Sequence, residues 1–364
     1  TSLSAITLPV LTNDTDANGD ALVITSFTSP TSGTLSRSAQ QLIYTPSGDF
    51  GATDSFTYTI SDGRGGTDTA TVTLNYQIPF TWIGSGADAN WTTAANWLGG
   101  VVPGGANAAY FNSQCTTYCN PLLTANMTVG GLQINSSYAG TFTQPPGITM
   151  TVQSLGWVQY GGTFVGGNSA INVGVYAGTG SFRLQGGSFT STTDALQLRA
   201  GLEIGAAATF LHNNGTVDIW SHGKNITVGV NPFYNFKFRS NDWAAFSLSG
   251  QTMTVLSDLT LALPTSCASY CSLNNGTVLV NGNVTISGDG FEGNALIRLV
   301  GSSNQIVDGS AASSIGGMPS FQIASTGGTV SLVGGVNVYG NYTYTSGTVA
   351  AGTSTVGFIG DNQT

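Results

Sequence analysis

No stretch of this chain repeats apolar residues at i, i+3, i+4 and i+7 for three turns, whereas short period-two alternations such as Phe56-Thr57-Tyr58-Thr59-Ile60 recur throughout. That pattern leaves little besides sheets. The composition agrees, because 51 Gly and abundant Ser and Thr stand beside only two Glu, Glu203 and Glu292, so helix-forming material is scarce. An all-β fold follows, and 364 residues suffice for two or more domains with a sizeable core.

The formal net charge of −9 argues against nucleic acid or an anionic membrane as partner, since both require a positive surface. No run of 18 apolar residues occurs, so no helical membrane span is expected. Thr rather than Met stands first, and Ser354 to Thr364 stop inside a strand-like pattern. The chain therefore reads as a piece of a longer protein, with its repeats continuing beyond the last residue.

Residues 1–78 read as a compact β-sandwich, with strands expected at Ala5 to Leu11, Ala21 to Phe27, Gly33 to Ser38, Gln41 to Thr45, Asp54 to Ser61 and Thr67 to Tyr76. Phe56, Tyr58 and Ile60 would face inward from one strand, and Ala70, Val72, Leu74 and Tyr76 from the next. Such alternation fixes register, because a one-residue slip would expose every apolar side chain. The wording from Val10-Leu11-Thr12-Asn13-Asp14 through Asp54-Ser55-Phe56-Thr57-Tyr58 to Ser61-Asp62-Gly63-Arg64-Gly65-Gly66-Thr67 resembles the bacterial cadherin-like, Ig-like repeat domains of giant surface adhesins, over residues 8–75. That resemblance implies an extracellular spacer, usually calcium-stiffened and without catalysis.

Residues 79–121 form a Trp-rich segment. Thr81-Trp82-Ile83-Gly84, Asn90-Trp91, Asn96-Trp97 and Val102-Pro103-Gly104 resemble the opening segment of autotransporter-like β-solenoids. A solenoid's first coil has an open face that bulky side chains must cover, which gives these Trp a capping role; packing in an ordinary core or stacking on carbohydrate are the alternatives. From Leu122 to Thr364 a small theme recurs: Gly140-Thr-Phe142, Gly162-Thr-Phe164, Gly187-Ser-Phe189, Gly215-Thr-Val217, Gly276-Thr-Val278, Gly328-Thr-Val330 and Gly347-Thr-Val349. This suits the coils of a parallel β-helix. Antiparallel β-sandwiches in series would give similar turn spacing.

Asn13-Asp14-Thr15-Asp16-Ala17-Asn18-Gly19-Asp20 places oxygen-bearing side chains at alternate positions in a chain of which only 7% is charged. Asp14, Asp16, Asn18 and Asp20 reproduce the first half of an EF-hand loop, but Thr25 falls where its closing Glu would stand. A calcium ion completed by oxygens from elsewhere, with Asp62 or Asp68 as candidates, is one reading. An Asp-rich turn that only bonds its own backbone is the other.

The cysteines come as two similar pairs, Cys115/Cys119 and Cys267/Cys271, read as local disulfides that pin turns in an oxidising, extracellular setting; a four-cysteine zinc site is the rival. Chemistry has one candidate. His212, Asp218, His222, Lys224, Lys237, Arg239 and Asp242 lie among Trp220, Tyr234 and Trp243, which could serve a polysaccharide lyase or, through Trp220, Tyr234 and Trp243, a glycan-binding surface. No nucleophile motif, phosphate loop or dinucleotide fingerprint occurs. The expectation is a non-catalytic surface or secreted protein, a stalk, filament or layer component. Its partners would be copies of itself or a cell-surface glycan or protein.

Overall fold

The computed structural model describes residues 5–46, 53–75, 80–175, 179–220, 224–240, 245–263 and 271–359. The described residues contain no α-helix, and only two 3-10 turns, Val10–Asn13 and Ala94–Asn96, interrupt the strands.

An N-terminal β-sandwich holds six strands: β1 (Ile6–Leu8), β2 (Val23–Phe27), β3 (Gly33–Ser38), β4 (Gln41–Pro46), β5 (Thr53–Ser61) and β6 (Thr67–Asn75). One antiparallel sheet has the order β1-β4-β3 and the other β2-β5-β6. Ile24, Leu42, Phe56 and Tyr58 are buried between them, with Val72 and Leu74 packed alongside, as the alternation required. Two details differ from expectation. Pro9 has no N–H to give a ladder, so β1 stops at Leu8 and the chain turns through Val10–Asn13. Ala70 is exposed rather than inward, and Tyr76 lies outside the described residues.

The rest is a parallel β-solenoid of about ten coils between residues 108 and 358. Its ladders, all parallel, exclude the serial antiparallel sandwiches. Along one face Val129, Val152, Val173, Leu198, Ile219, Phe238, Leu261 and Ile286 stand in register on successive coils, every one buried. A second face stacks Ala109, Leu132, Trp157, Phe182, Leu202 and Ile226. A third stacks Phe142, Phe164, Phe189 and Phe210. Coils vary from 19 residues, Ile219 to Phe238, to 25, Val173 to Leu198, because only the strands must stay in register while the corners absorb insertions.

The recurring Gly-Thr/Ser-apolar theme proves to mark more than one position of the coil. Phe142, Phe164 and Phe189 belong to the phenylalanine face, whereas Val217 pairs with Leu196 on the first-described face. What these copies share is local: a glycine at a corner, then a strand whose apolar residue points inward. Gly156 shows why. It sits at the bend inside Met150–Gln159, with φ +76°, and a Cβ there would collide with the Ser181 carbonyl of the next coil.

The parallel ladder starts earlier than the sequence suggested. Ala108–Phe111 already pairs with Gly131–Ile134, and Thr81 bridges Tyr110, so the first coil lies within the Trp-rich segment rather than after residue 121. Trp82, Trp91 and Trp97 are buried and pack on one another and on Phe111, and Trp91 stacks on Phe142 at 5.6 Å. The cap is thus continuous with the phenylalanine ladder, and these rings are not available to a sugar. Their polar edges are satisfied locally: the indole N–H of Trp82 donates to the Tyr118 carbonyl and that of Trp97 to the Trp91 carbonyl. Fully buried Asn96 donates to the carbonyls of Asp88 and Asn90 and accepts from Gly86 N–H. Asp88, held below the usual carboxylate range by Thr93 and by Asn90, closes the same knot.

Candidate functional site

Pairing of β2 with β5 sets Val23 opposite Ser61, which brings the loop before β2 beside the loop after β5. The two loops are built alike. Asp16 Oδ1 accepts from the N–H groups of Asn18 and Asp20 at 2.8 and 2.9 Å, and Asp62 Oδ1 accepts from Arg64 and Gly66 at 2.7 and 2.9 Å. Those backbone donors, Asp20 foremost, hold the Asp16 carboxyl below its usual range. Each carboxylate therefore caps its own turn, as the ion-free reading of the sequence required. Each also keeps a second oxygen. One oxygen from each of Asp16, Asp20 and Asp62 lies within 4.8 Å of the other two.

The remaining candidates are placed around this trio. Asp14 accepts a hydrogen bond from the Tyr58 hydroxyl at 2.8 Å, and burial together with Asp14 pushes that phenol up to about 12. Asp14, Asp16, Asp62 and Asp68 line an open cleft of about 400 Å³. Asn18 is exposed at the turn, next to Gly19 with φ +79°. Arg64 pairs with Asp20 at 3.1 Å and neutralises one of the three acids; the guanidinium is 76% exposed. Hard oxygen donors at this spacing suit a divalent ion such as calcium, with backbone and water completing six to eight ligands.

Sequence reasoning passed over a different acid. Asp54 is buried and accepts from Thr31 N–H and hydroxyl, Ser32 N–H, Ser55 N–H and the Tyr44 hydroxyl, all at 2.8–3.0 Å. Burial pushes its carboxyl up, but these donors, Tyr44 first, outweigh it and leave the value lowered. A signal existed. Asp54 shares the inward phase of Phe56 and Tyr58, and a charge at that phase demands partners.

On the solenoid, the expected lyase cluster is divided. His212 precedes the strand Thr216–Trp220 and stacks on Tyr234 at 5.6 Å, whereas Asp218, Trp220 and Arg239 lie toward the other end of their strands. His222, Asp242 and Trp243 lie outside the described residues, as does Cys267. Asp218 is buried under Arg239, which binds both its oxygens, while the Trp220 indole N–H donates to Oδ1 at 3.0 Å. Burial raises the Asp218 carboxyl against the pull of Arg239 and Lys237.

Trp220 has guanidinium groups from the coils before and after it, Arg199 at 4.5 Å and Arg239 at 3.7 Å from the ring centroid. A sugar cannot stack on faces already covered, which removes Trp220 from the expected aromatic glycan platform. Cys115 and Cys119 are bridged, with Cα atoms 5.5 Å apart, and the bridge pins the turn that brings the Tyr118 carbonyl to Trp82. Cys271 is buried and disulfide-bonded.

The fold thus defines an Ig-like sandwich followed by a parallel β-solenoid. The family model of the bacterial Ig domain matches residues 1–75, which is the sandwich. No curated protein and no solved structure matches the chain.

Proposed function

We propose that the chain is a non-catalytic extracellular surface protein, in which a calcium-stiffened Ig-like module is joined to a solenoid rod that projects or assembles an adhesive structure. The observation that carries this reading is the unbroken inward ladder from Val129 to Ile286, adjoining the Trp cap. A core continuous over eight coils bends as one rod, whereas an enzyme cleft requires a concave site with converging polar groups. The bacterial Ig match and the adhesin-like wording of residues 8–75 support a surface location, and both local cysteine pairs suit an oxidising compartment. The low charge also suits self-association into a filament or layer, because few charged groups must be desolvated when copies meet.

Calcium is assigned to Asp16, Asp20 and Asp62, with Asp14 and Asp68 across the adjoining cleft. Bound there, the ion would tie the loop before β2 to the loop after β5 and offset the mutual repulsion of the acids. Protease accessibility and antibody labelling of intact producing cells test the location. Calorimetric titration with Ca²⁺ tests the ion, with heat expected for the natural chain and lost in the D16N/D62N variant. Labelling only after lysis would refute the surface reading.

A further inference from the structure

Three of the chain's eight basic residues flank one coil of a single solenoid face, Arg199 on the coil before it and Lys237 and Arg239 together on the coil after it. Trp220 lies between the two arginines, and Asp218 lies beside Lys237 in the neighbouring column. Asp218 feels the charge of Lys237 as well, but it forms hydrogen bonds with only one of the three cations, Arg239. Its two oxygens are taken by the Arg239 guanidinium and the Trp220 N–H, so Asp218 orients the indole and Arg239 rather than serving a ligand. Among the described residues neither the Arg199 guanidinium nor the Lys237 ammonium has a hydrogen bond or an ion pair, and both are half-buried. A chain of net charge −9 thus keeps, on one face, two cations with no bonded counterion among the described residues, one of them held against an aromatic ring.

We infer that this face binds an anionic polysaccharide, with Arg199 and Lys237 meeting successive acidic groups of the sugar chain and the Trp220 ring fixing the Arg199 guanidinium in place. Several features select that ligand class. A guanidinium held on an indole loses little conformational freedom on binding, and its donor edge matches a carboxylate or sulfate. The basic groups spread over three rungs, roughly 10 Å at the ordinary spacing of parallel strands, on a flat sheet surface. An isolated small anion would engage one of them; a chain with repeated charges engages both. Nucleic acid and acidic lipid surfaces are disfavoured because their charge density requires a broader basic surface than two cations supply.

The inference relies on the surface-protein reading only for where the ligand is met. It is measured on the purified chain, so either can fail without the other. Polygalacturonate, dextran sulfate and neutral dextran are immobilised and probed with the full chain in a chelator, which removes any calcium bridge to the sandwich. Binding to polygalacturonate or dextran sulfate is expected, the stronger of the two identifying carboxylate or sulfate as the partner group, and it should weaken with added salt. R199Q/K237Q should weaken it by roughly tenfold or more, as loss of charge-assisted hydrogen bonds does. R199K, which retains the charge but not the flat stack, should fall between. Circular dichroism and melting of each variant report folding. Equal retention of neutral dextran, no retention of any of the three, or full binding by a folded R199Q/K237Q chain would overturn the proposal.

Discussion

Asp54 shows what one buried charge does in a sandwich this small. Its carboxylate gathers donors from Thr31, Ser32, Tyr44 and Ser55, so it fastens the Thr31-Ser32 turn and β4 to the start of β5. Replacing it by Ala leaves those donors with no acceptor. D54A should cost the sandwich about 3 kcal/mol in urea unfolding, and D54N less, because an amide oxygen still accepts. The pH dependence has a definite sign. The folded value is lowered, so the contribution is complete above the unfolded carboxylate value and disappears as pH falls through the folded one. Acid should therefore unfold the natural sandwich steeply. In D54N that part of the acid dependence should be absent, and a D54N chain with the same acid slope would contradict the assignment.

The strands of the phenylalanine face, three or four residues each, are individually too short to be stable. Stacking supplies what length does not. Phe164 and Phe189 lie 4.8 Å apart and nearly parallel, and Phe189 and Phe210 5.8 Å apart, all buried. Truncating the middle of such a column leaves a cavity between coils that cannot close without breaking register. F189A should cost about 3–5 kcal/mol. Because coils contact only their neighbours, the loss should appear as local fraying. Hydrogen exchange should quicken around residues 163–165 and 208–211 and stay unchanged near Ile286. Uniform quickening along the whole rod would show that the solenoid unfolds as a single unit instead.

At the scale of the molecule, the sandwich core of Ile24, Leu42, Phe56 and Tyr58 is distinct from the solenoid core, which runs from Trp82 to Val338, and a small cluster of Tyr44 with Tyr110 joins the two. Two cores imply two unfolding transitions. Since the acid trio belongs to the sandwich alone, a calcium chelator should lower the melting temperature of that transition and leave the solenoid's in place. Calorimetric scans with and without chelator distinguish the two. Equal movement of both transitions, or of neither, would count against a calcium-stiffened module.

Much of the fold was legible because strands write their burial into every second residue. β3, β5 and the body of β2 and β4 could be read from alternation almost to the residue, and Pro9 alone shortened β1. The all-β class, the capping Trp residues and the acid-rich loop were determined by residue type and local spacing. What the sequence could not express was which distant segments become neighbours. Asp62 joins Asp16 and Asp20 only because β2 pairs with β5, and Trp220 loses its free faces only because two arginines arrive one coil earlier and one coil later. Local periodicity sets which side of a strand is apolar; register between strands, fixed by packing of the whole core, decides which side chains meet.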